Sequence, residues 1–263
     1  MDDRRRALSF LHEVDMRAAE RVLPAPGGVA VLHSEVPLLW DANHLTVTEP
    51  GLASPRELAR AAERVRRDAG LGHRMVIVPD EAEGRRLARG FARLGWDLER
   101  HLVMALRRPP DRPPPPAVAI RSMPFDQLDG ARAEFLRGEP WGRPEVVSQV
   151  LRRDRLLAGA VRDLAFTAVV DDRPAAFCRL MSDGGVGQVE DVATLPDHRG
   201  RGLARAVVGA AVDASRDAGH QLTFLTAEAA DWPQALYRKL GFDDLTVVHR
   251  FRIVVGIGLR EGT

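Results

Sequence analysis

The sequence predicts a mixed α/β protein, and three observations carry that prediction. In residues 117–263, short apolar runs separated by turn-forming residues give way to runs of helical periodicity. Glycines then close helices ahead of further apolar runs. The same helix–glycine–strand order occurs twice along the chain. Antiparallel hairpins followed by helix crossovers give a mixed, mostly antiparallel sheet flanked by helices.

The elements of the second half follow in order. Val118 to Arg121 is a short strand candidate, and Phe125 to Arg137 and Pro144 to Ala158 read as helices. Val161 to Val170 and Ala175 to Met181 are apolar runs joined by Asp171-Asp172-Arg173-Pro174, whose turn chemistry predicts a hairpin. A second turn at Asp183-Gly184-Gly185 leads into a strand from Val186 to Thr194. A helix (Gly202 to Ala218), a strand (Leu222 to Thr226), a helix (Trp232 to Leu240) and a last strand (Leu245 to Val254) complete the half.

The clearest boundary is Arg107 to Pro116, RRPPDRPPPP. Consecutive prolines lack amide donors and hold an extended conformation, so this stretch belongs to neither a helix nor a central strand. It reads as a linker between residues 1–106 and 117–263. The first half repeats the ending of the second. Arg67-Asp68-Ala69-Gly70 matches Arg216-Asp217-Ala218-Gly219, His73 to Val78 matches His220 to Leu225, and Phe91 to Trp96 matches Tyr237 to Phe242. Three matches in one order at nearly constant spacing indicate a duplicated domain.

Composition excludes several classes. The 38 Lys+Arg residues against 37 Asp+Glu leave a net charge of +1, without the basic excess expected of a nucleic-acid binder. One cysteine, Cys178, rules out an internal disulfide and a multi-cysteine metal site, and the histidines show no metal spacing. No window approaches the ~20 apolar residues that span a bilayer, and no apolar run follows the charged amino terminus. The expectation is a cytoplasmic protein with no metal and no membrane or nucleic-acid partner. Its oligomeric state stays open, a homodimer included.

Glu190 to Arg205, EDVATLPDHRGRGLAR, carries the chemistry. A strand ends near Thr194, Pro196 breaks it, and Arg199-Gly200-Arg201-Gly202-Leu203-Ala204 opens a helix. A helix amino terminus presents unsatisfied amides and positive dipole charge, which suit a pyrophosphate. Gly202 permits close approach, Ala204 leaves the first turn uncrowded, and Arg199 and Arg201 add fork-shaped donors. No Gly-Lys-Ser/Thr follows, so this is not a Walker-type loop, and the dinucleotide fingerprint is incomplete.

The six residues from Arg199 to Ala204 match the Gln/Arg-x-x-Gly-x-Gly/Ala pattern of the GCN5-related N-acetyltransferases (GNAT), and Val192-Ala193-Thr194 occupies the preceding strand end as in that family. The chain resembles that family over residues 117–254, most closely from 186 to 242. The resemblance implies acetyl-CoA as cosubstrate, with backbone amides of Arg201, Gly202, Leu203 and Ala204 cradling its pyrophosphate. Arg199, Gly200 and Arg205 belong to the same site. Val192, Ala193 and Thr194 would hold the pantetheine arm through the strand backbone, and the amide of Val192 or Ala193 would polarise the thioester carbonyl.

Transfer to an amine also needs a general acid and a general base. Tyr237, the one tyrosine in the chain, stands in Leu236-Tyr237-Arg238-Lys239-Leu240-Gly241-Phe242. This resembles the family's Leu-Tyr-x-x-x-Gly-Phe motif, in which the hydroxyl reaches the CoA sulfur. For the base, strand alternation puts Gln188, Glu190 and Val192 on one face and Asp191 on the other. Glu190 is the leading candidate, with Glu228 and Asp231 as alternatives. Cys178, in an apolar run without an adjacent histidine, reads as a buried inert thiol.

At the position of the phosphate turn the first half has Pro50-Gly51-Leu52-Ala53-Ser54-Pro55, which starts a helix through a Ser54/Glu57 capping box but is a poor phosphate cradle. At the position of Tyr237 it has Phe91. The expected architecture is therefore two tandem GNAT-like domains, the first degenerate, resembling two-domain actinobacterial acetyltransferases. Trp40 to His44 is a polar-aromatic patch that reads as an acceptor-facing surface or a loop after a strand. The leading function is direct transfer of acetyl to a primary amine of a small molecule or peptide. The alternatives are a non-catalytic acyl-CoA-binding regulatory module and a duplicated adaptor that binds nothing.

Overall fold

The structure, a computed structural model, describes residues 2–115 and 118–254. Pro116, Ala117 and residues 255–263, which fall within the expected linker and second domain, lie outside it. In chain order the elements begin with α1 (Asp3–Ala18), β1 (Arg21–Ala25), β2 (Gly28–Leu32), β3 (His44–Val47), α2 (Pro55–Asp68), β4 (His73–Val78) and α3 (Glu81–Arg93). They continue with β5 (Asp97–Leu106), β6 (Ile120–Met123), α4 (Asp129–Arg137), α5 (Pro144–Ala160), β7 (Arg162–Val170), β8 (Arg173–Asp183) and β9 (Val186–Thr194). The last are α6 (Leu203–Asp217), β10 (Leu222–Glu228), α7 (Pro233–Lys239) and β11 (Phe242–Val254).

Contacts divide the described chain into two compact units, residues 2–18 with 102–246 and residues 19–101 with 247–254. This differs from a division at 107–116. In the smaller unit β4 is bordered by the end of β11, and in the larger unit β10 is bordered by the end of β5. Each unit thus takes a strand from the other half of the sequence. The proline run is also held by backbone bonds: Arg107 and Arg108 N–H donate to Gly241 O at 2.9 and 3.3 Å, and Asp111 N–H to Lys239 O at 2.8 Å.

In the smaller unit the strand order is β1-β2-β3-β4-β11. All neighbours are antiparallel except β3 and β4, which run parallel with α2 as the crossover. The expected capping box starts α2: Ser54 Oγ accepts from Glu57 N, and the Glu57 carboxylate accepts from Ser54 N. Leu45, Leu58, Val76 and Leu87 fill the core with Phe91, whose ring stacks on Phe251 at 4.3 Å between centroids. Each such buried side chain contributes roughly 1.5–3 kcal/mol through removal from water.

In the larger unit β5, β10, β9, β8, β7 and β6 are neighbours in that order. The predicted turns both form. Asp171 and Asp172 adopt φ of 50° and 59° between β7 and β8, and Gly184 and Gly185 adopt 54° and 82° between β8 and β9. Paired left-handed residues match the right-handed twist of the flanking strands. The predicted helix at Phe125 begins as a 3₁₀ turn, Phe125–Leu128, before α4. Helix α6 crosses from β9 to the parallel β10 and buries Leu203, Ala206, Val207, Ala211 and Val212. Helix α1 has no counterpart among the predicted elements. It buries Ala7, Phe10 and Val14, and Phe10 meets Phe224 of β10 edge to face at 5.6 Å.

Candidate active site

The site is built where β9 leaves β10. The two strands pair in parallel from Leu222↔Val186 to Leu225↔Val189, and the ladder stops there although both strands continue. On its other side, β9 carries a bulge. Phe177 of β8 pairs with Ala193 but Arg179 pairs with Glu190, so Asp191 and Val192 together stand opposite Cys178. Asp191 takes φ of 52°, a left-handed conformation that aspartate tolerates better than most residues. A bulge bends its strand and increases local twist, and here it lies at the point where pairing with β10 ends.

Side chains from five elements pin this bulge. The Asp191 carboxylate lies 3.4 Å from Arg179 Nη1 and 3.7 Å from Arg132 Nη2. Arg179 also pairs with Asp154 at 3.0 Å and with Asp163, and Arg132 pairs with Asp154 at 2.5 Å. Both guanidiniums lie over the ring of Phe125, at 3.9 Å for Arg179 and 4.3 Å for Arg132. Both arginine side chains are almost fully buried. Burial works against the Arg179 charge, yet Asp191, Asp163 and Asp154 together push its pKa up. Burial, with the negative charge of Asp191 added, raises the Asp154 and Asp163 carboxyls despite the arginines beside them.

The bulge corrects one expectation. Gln188 and Glu190 do share a face, since Gln188 Nε2 donates to Glu190 Oε2 at 2.7 Å. Strict alternation, however, ends at Glu190, because the extra residue shifts Val192 out of phase. Asp191 was expected to point away, but its carboxylate reaches Arg179, the residue directly across from Glu190.

Glu190 is half-buried and lies 3.5 Å from the Thr226 hydroxyl on β10, which donates to it across the end of the ladder. Tyr237 of α7 is buried, edge to face with Phe242 at 6.5 Å. Burial pushes its phenol pKa up, and negative charge at Glu190 and Asp191 adds to the shift. Cys178 is fully buried, donates its S–H to Val207 O at 3.3 Å, and has a thiol pKa pushed up by burial. It has the environment of an inert thiol. Glu228 and Asp231 are exposed, and the Asp231 carboxylate accepts from Trp232 N–H at 2.7 Å.

Beyond Thr194, a 3₁₀ turn at Pro196–His198 leads to the glycine turn. Gly200 and Gly202 take φ of 76° and 77°, and Gly202 caps α6 with no side-chain bond to the first-turn amides. No acidic residue lies in that turn. Arg199, Gly200, Arg201 and Gly202 are exposed, and Arg199 Nε donates to Thr194 O at 3.3 Å. Arg205 Nη1 donates to Arg112 O at 3.2 Å. Leu203 is buried beneath the turn, Ala204 is half-buried, Ala193 is buried in the sheet, and Val192 and Thr194 are half-buried. The uncapped amides and basic rim fit an anionic oxygen cluster.

The corresponding positions of the smaller unit differ in kind. The amides that open α2 already meet Ser54, and Glu57 puts negative charge in the first turn. Phe91 has no hydroxyl and is fully buried. In the Trp40–His44 patch, Asn43 is buried and holds its own loop. Its Oδ1 accepts from His33 N–H at 2.9 Å, and its Nδ2 donates to Val36 O and Leu39 O. Among the described residues, no group of three His, Cys, Asp or Glu is placed to hold a metal ion, and no helix is long and apolar enough to cross a membrane.

Sequence reasoning missed Arg132, Asp154, Asp163 and Arg179. The signal was there in two of them, since Asp163 and Arg179 are charges inside otherwise apolar strand runs.

The bulged strand, the glycine turn and the helix-borne tyrosine all lie within residues 128–242, the segment that matches the Acetyltransferase (GNAT) family. Among individual proteins, a mycothiol acetyltransferase of Clavibacter sepedonicus is 37% identical over 83 residues, which span 31% of this chain and 27% of that relative. A GCN5-related N-acetyltransferase from Kribbella flavida shares the fold with a TM-score of 0.65 at 20% identity, covering 97% of this chain and 96% of its own. A tandem GNAT protein from the clavulanic acid biosynthesis pathway superposes with a TM-score of 0.58 at 14% identity, covering 93% of this chain and 88% of its own.

Proposed function

We propose that the protein is an acetyl-CoA-dependent N-acetyltransferase that moves an acetyl group directly to a primary amine of a small molecule or peptide. The observation that carries this reading is the uncapped, basic glycine turn that opens α6 just beyond the point where β9 leaves β10. The glycine turn stands at the end of the same strand. The turn's amides, with Arg199, Arg201 and Arg205, take the pyrophosphate. The free edge of β9 from Val192 to Thr194 holds the pantetheine arm as an added strand would be held.

Glu190 takes the proton released as the amine attacks the thioester carbonyl. Tyr237 gives its hydroxyl proton to the departing sulfur. The two steps support each other. While Glu190 is ionised, its charge helps hold the phenol proton; once Glu190 is protonated, that contribution disappears and the phenol becomes a better donor. Positioned acid–base catalysis of this kind contributes typically ~10²–10⁴-fold. The smaller unit is read as a degenerate copy, supported by its self-capped α2 and by Phe91 where the larger unit has Tyr237.

The test is release of free CoA thiol from acetyl-CoA against a panel of primary amines. Turnover with at least one amine is expected, and Glu190→Gln should lower kcat by about 10²-fold. Binding of acetyl-CoA without thiol release by any amine would favour the regulatory-module reading instead.

A further inference from the structure

The proline run is seated on the two helices that frame the candidate site. At the α7 end, besides the backbone bonds to Gly241 and Lys239, Arg108 Nη2 donates to Arg238 O at 2.5 Å and its Nε lies 3.5 Å from Asp243. At the α6 end, Arg112 O accepts from Arg205. Pro115 and Pro114 lie against Gly202 and Gly209. A Cβ would lie 2.8 Å from Pro115 Cγ at position 202 and 2.0 Å from Arg108 O at position 241. The seat therefore needs glycine at both ends.

The segment borders the glycine turn without covering it, because Arg199 to Gly202 remain exposed with it in place. Prolines 113–115 offer ring faces and no amide donors. Arg112 is exposed, and its guanidinium has no ion pair among the described residues. A ligand with its thioester at the end of the β9–β10 ladder and its pyrophosphate on the α6 amides leaves its nucleotide outside the turn.

We propose that residues 112–115 form the nucleotide wall of the acyl-CoA site: Pro114 and Pro115 pack against the adenine ring, and Arg112 pairs with the 3′-phosphate. This rests on the acyl-CoA reading above. Gly202 then has two roles, opening the turn to phosphate and seating the wall beside it.

Calorimetric titration with CoA and with 3′-dephospho-CoA tests the wall. The wild-type protein should prefer CoA by about tenfold, as expected for one charge-assisted phosphate contact. Arg112→Ala, a change at an exposed side chain, should reduce that preference to within about twofold. Pro114→Ala combined with Pro115→Ala should weaken both ligands about fivefold by removing the packing surface. An undiminished preference in Arg112→Ala would overturn the phosphate assignment. Unchanged or tighter binding in the proline variant would overturn the wall and make the segment a cover. Failure of the wild-type protein to bind CoA at all would instead remove the acyl-CoA reading, and the wall with it.

Discussion

As the proposed acid, Tyr237 would be neutral at working pH and would have in Glu190, the proposed base, a neighbour that changes charge as the amine gives up its proton. Burial and Glu190 both favour the neutral phenol. Tyr237→Phe should therefore lower kcat by ~10²–10⁴-fold while leaving acetyl-CoA affinity within about twofold, measured by steady-state thiol release and calorimetry. Unchanged kcat would remove Tyr237 as the acid. The placement of Tyr237 on a short helix and of the glycine turn at the start of α6 was legible in the sequence, because each motif is contiguous. Asp191 was not. Its left-handed backbone and its contact with Arg179 follow from a one-residue register shift against β8, which no local pattern of β9 announces.

At the scale of elements, the decisive feature is the pinned bulge. Arg179 on β8 links Asp163 on β7, Asp154 on α5 and Asp191 on β9, so one buried guanidinium ties three strands to a helix. Removing one partner of a buried ionic network leaves uncompensated charge, so Arg179→Ala should cost about 3–5 kcal/mol of stability in denaturant unfolding. A loss under about 1 kcal/mol would mean the cluster does not hold the fold. Most of the elements themselves were legible, β4 and β9 at their observed limits, because apolar runs bounded by glycine or aspartate turns mark strands directly. Helix α1 was missed because its arginine-rich start masked apolar positions at 7, 10 and 14. The ionic cluster was missed because its members are scattered from Arg132 to Asp191 and resemble solvated charges in sequence.

Across the whole molecule, the repeated order of elements read from the sequence does not fix which strands make up the two compact units. Which strand borders β4 or β10 depends on pairing between residues far apart in the chain, which no local pattern of either strand specifies. Buried histidines give the molecule a pH signature. Burial lowers the pKa of His73 and His249, so the unfolded chain binds protons more readily than the folded one just below pH ~6.5. Stability from these groups is complete above that pH and is lost as the pH falls toward their folded pKa values. The thermal midpoint should therefore decline between about pH 7 and pH 5.5, before ordinary carboxylates titrate. A flat midpoint over that range would show that these imidazoles are solvated. The proposed acyl-CoA site is single, carried by the α6 turn and not by α2. Calorimetric titration with acetyl-CoA tests it most directly. One equivalent should bind per chain, and binding should be lost in Gly202→Val, whose side chain meets both a φ of 77° and Pro115. No binding, two equivalents per chain, or wild-type affinity in Gly202→Val would contradict it.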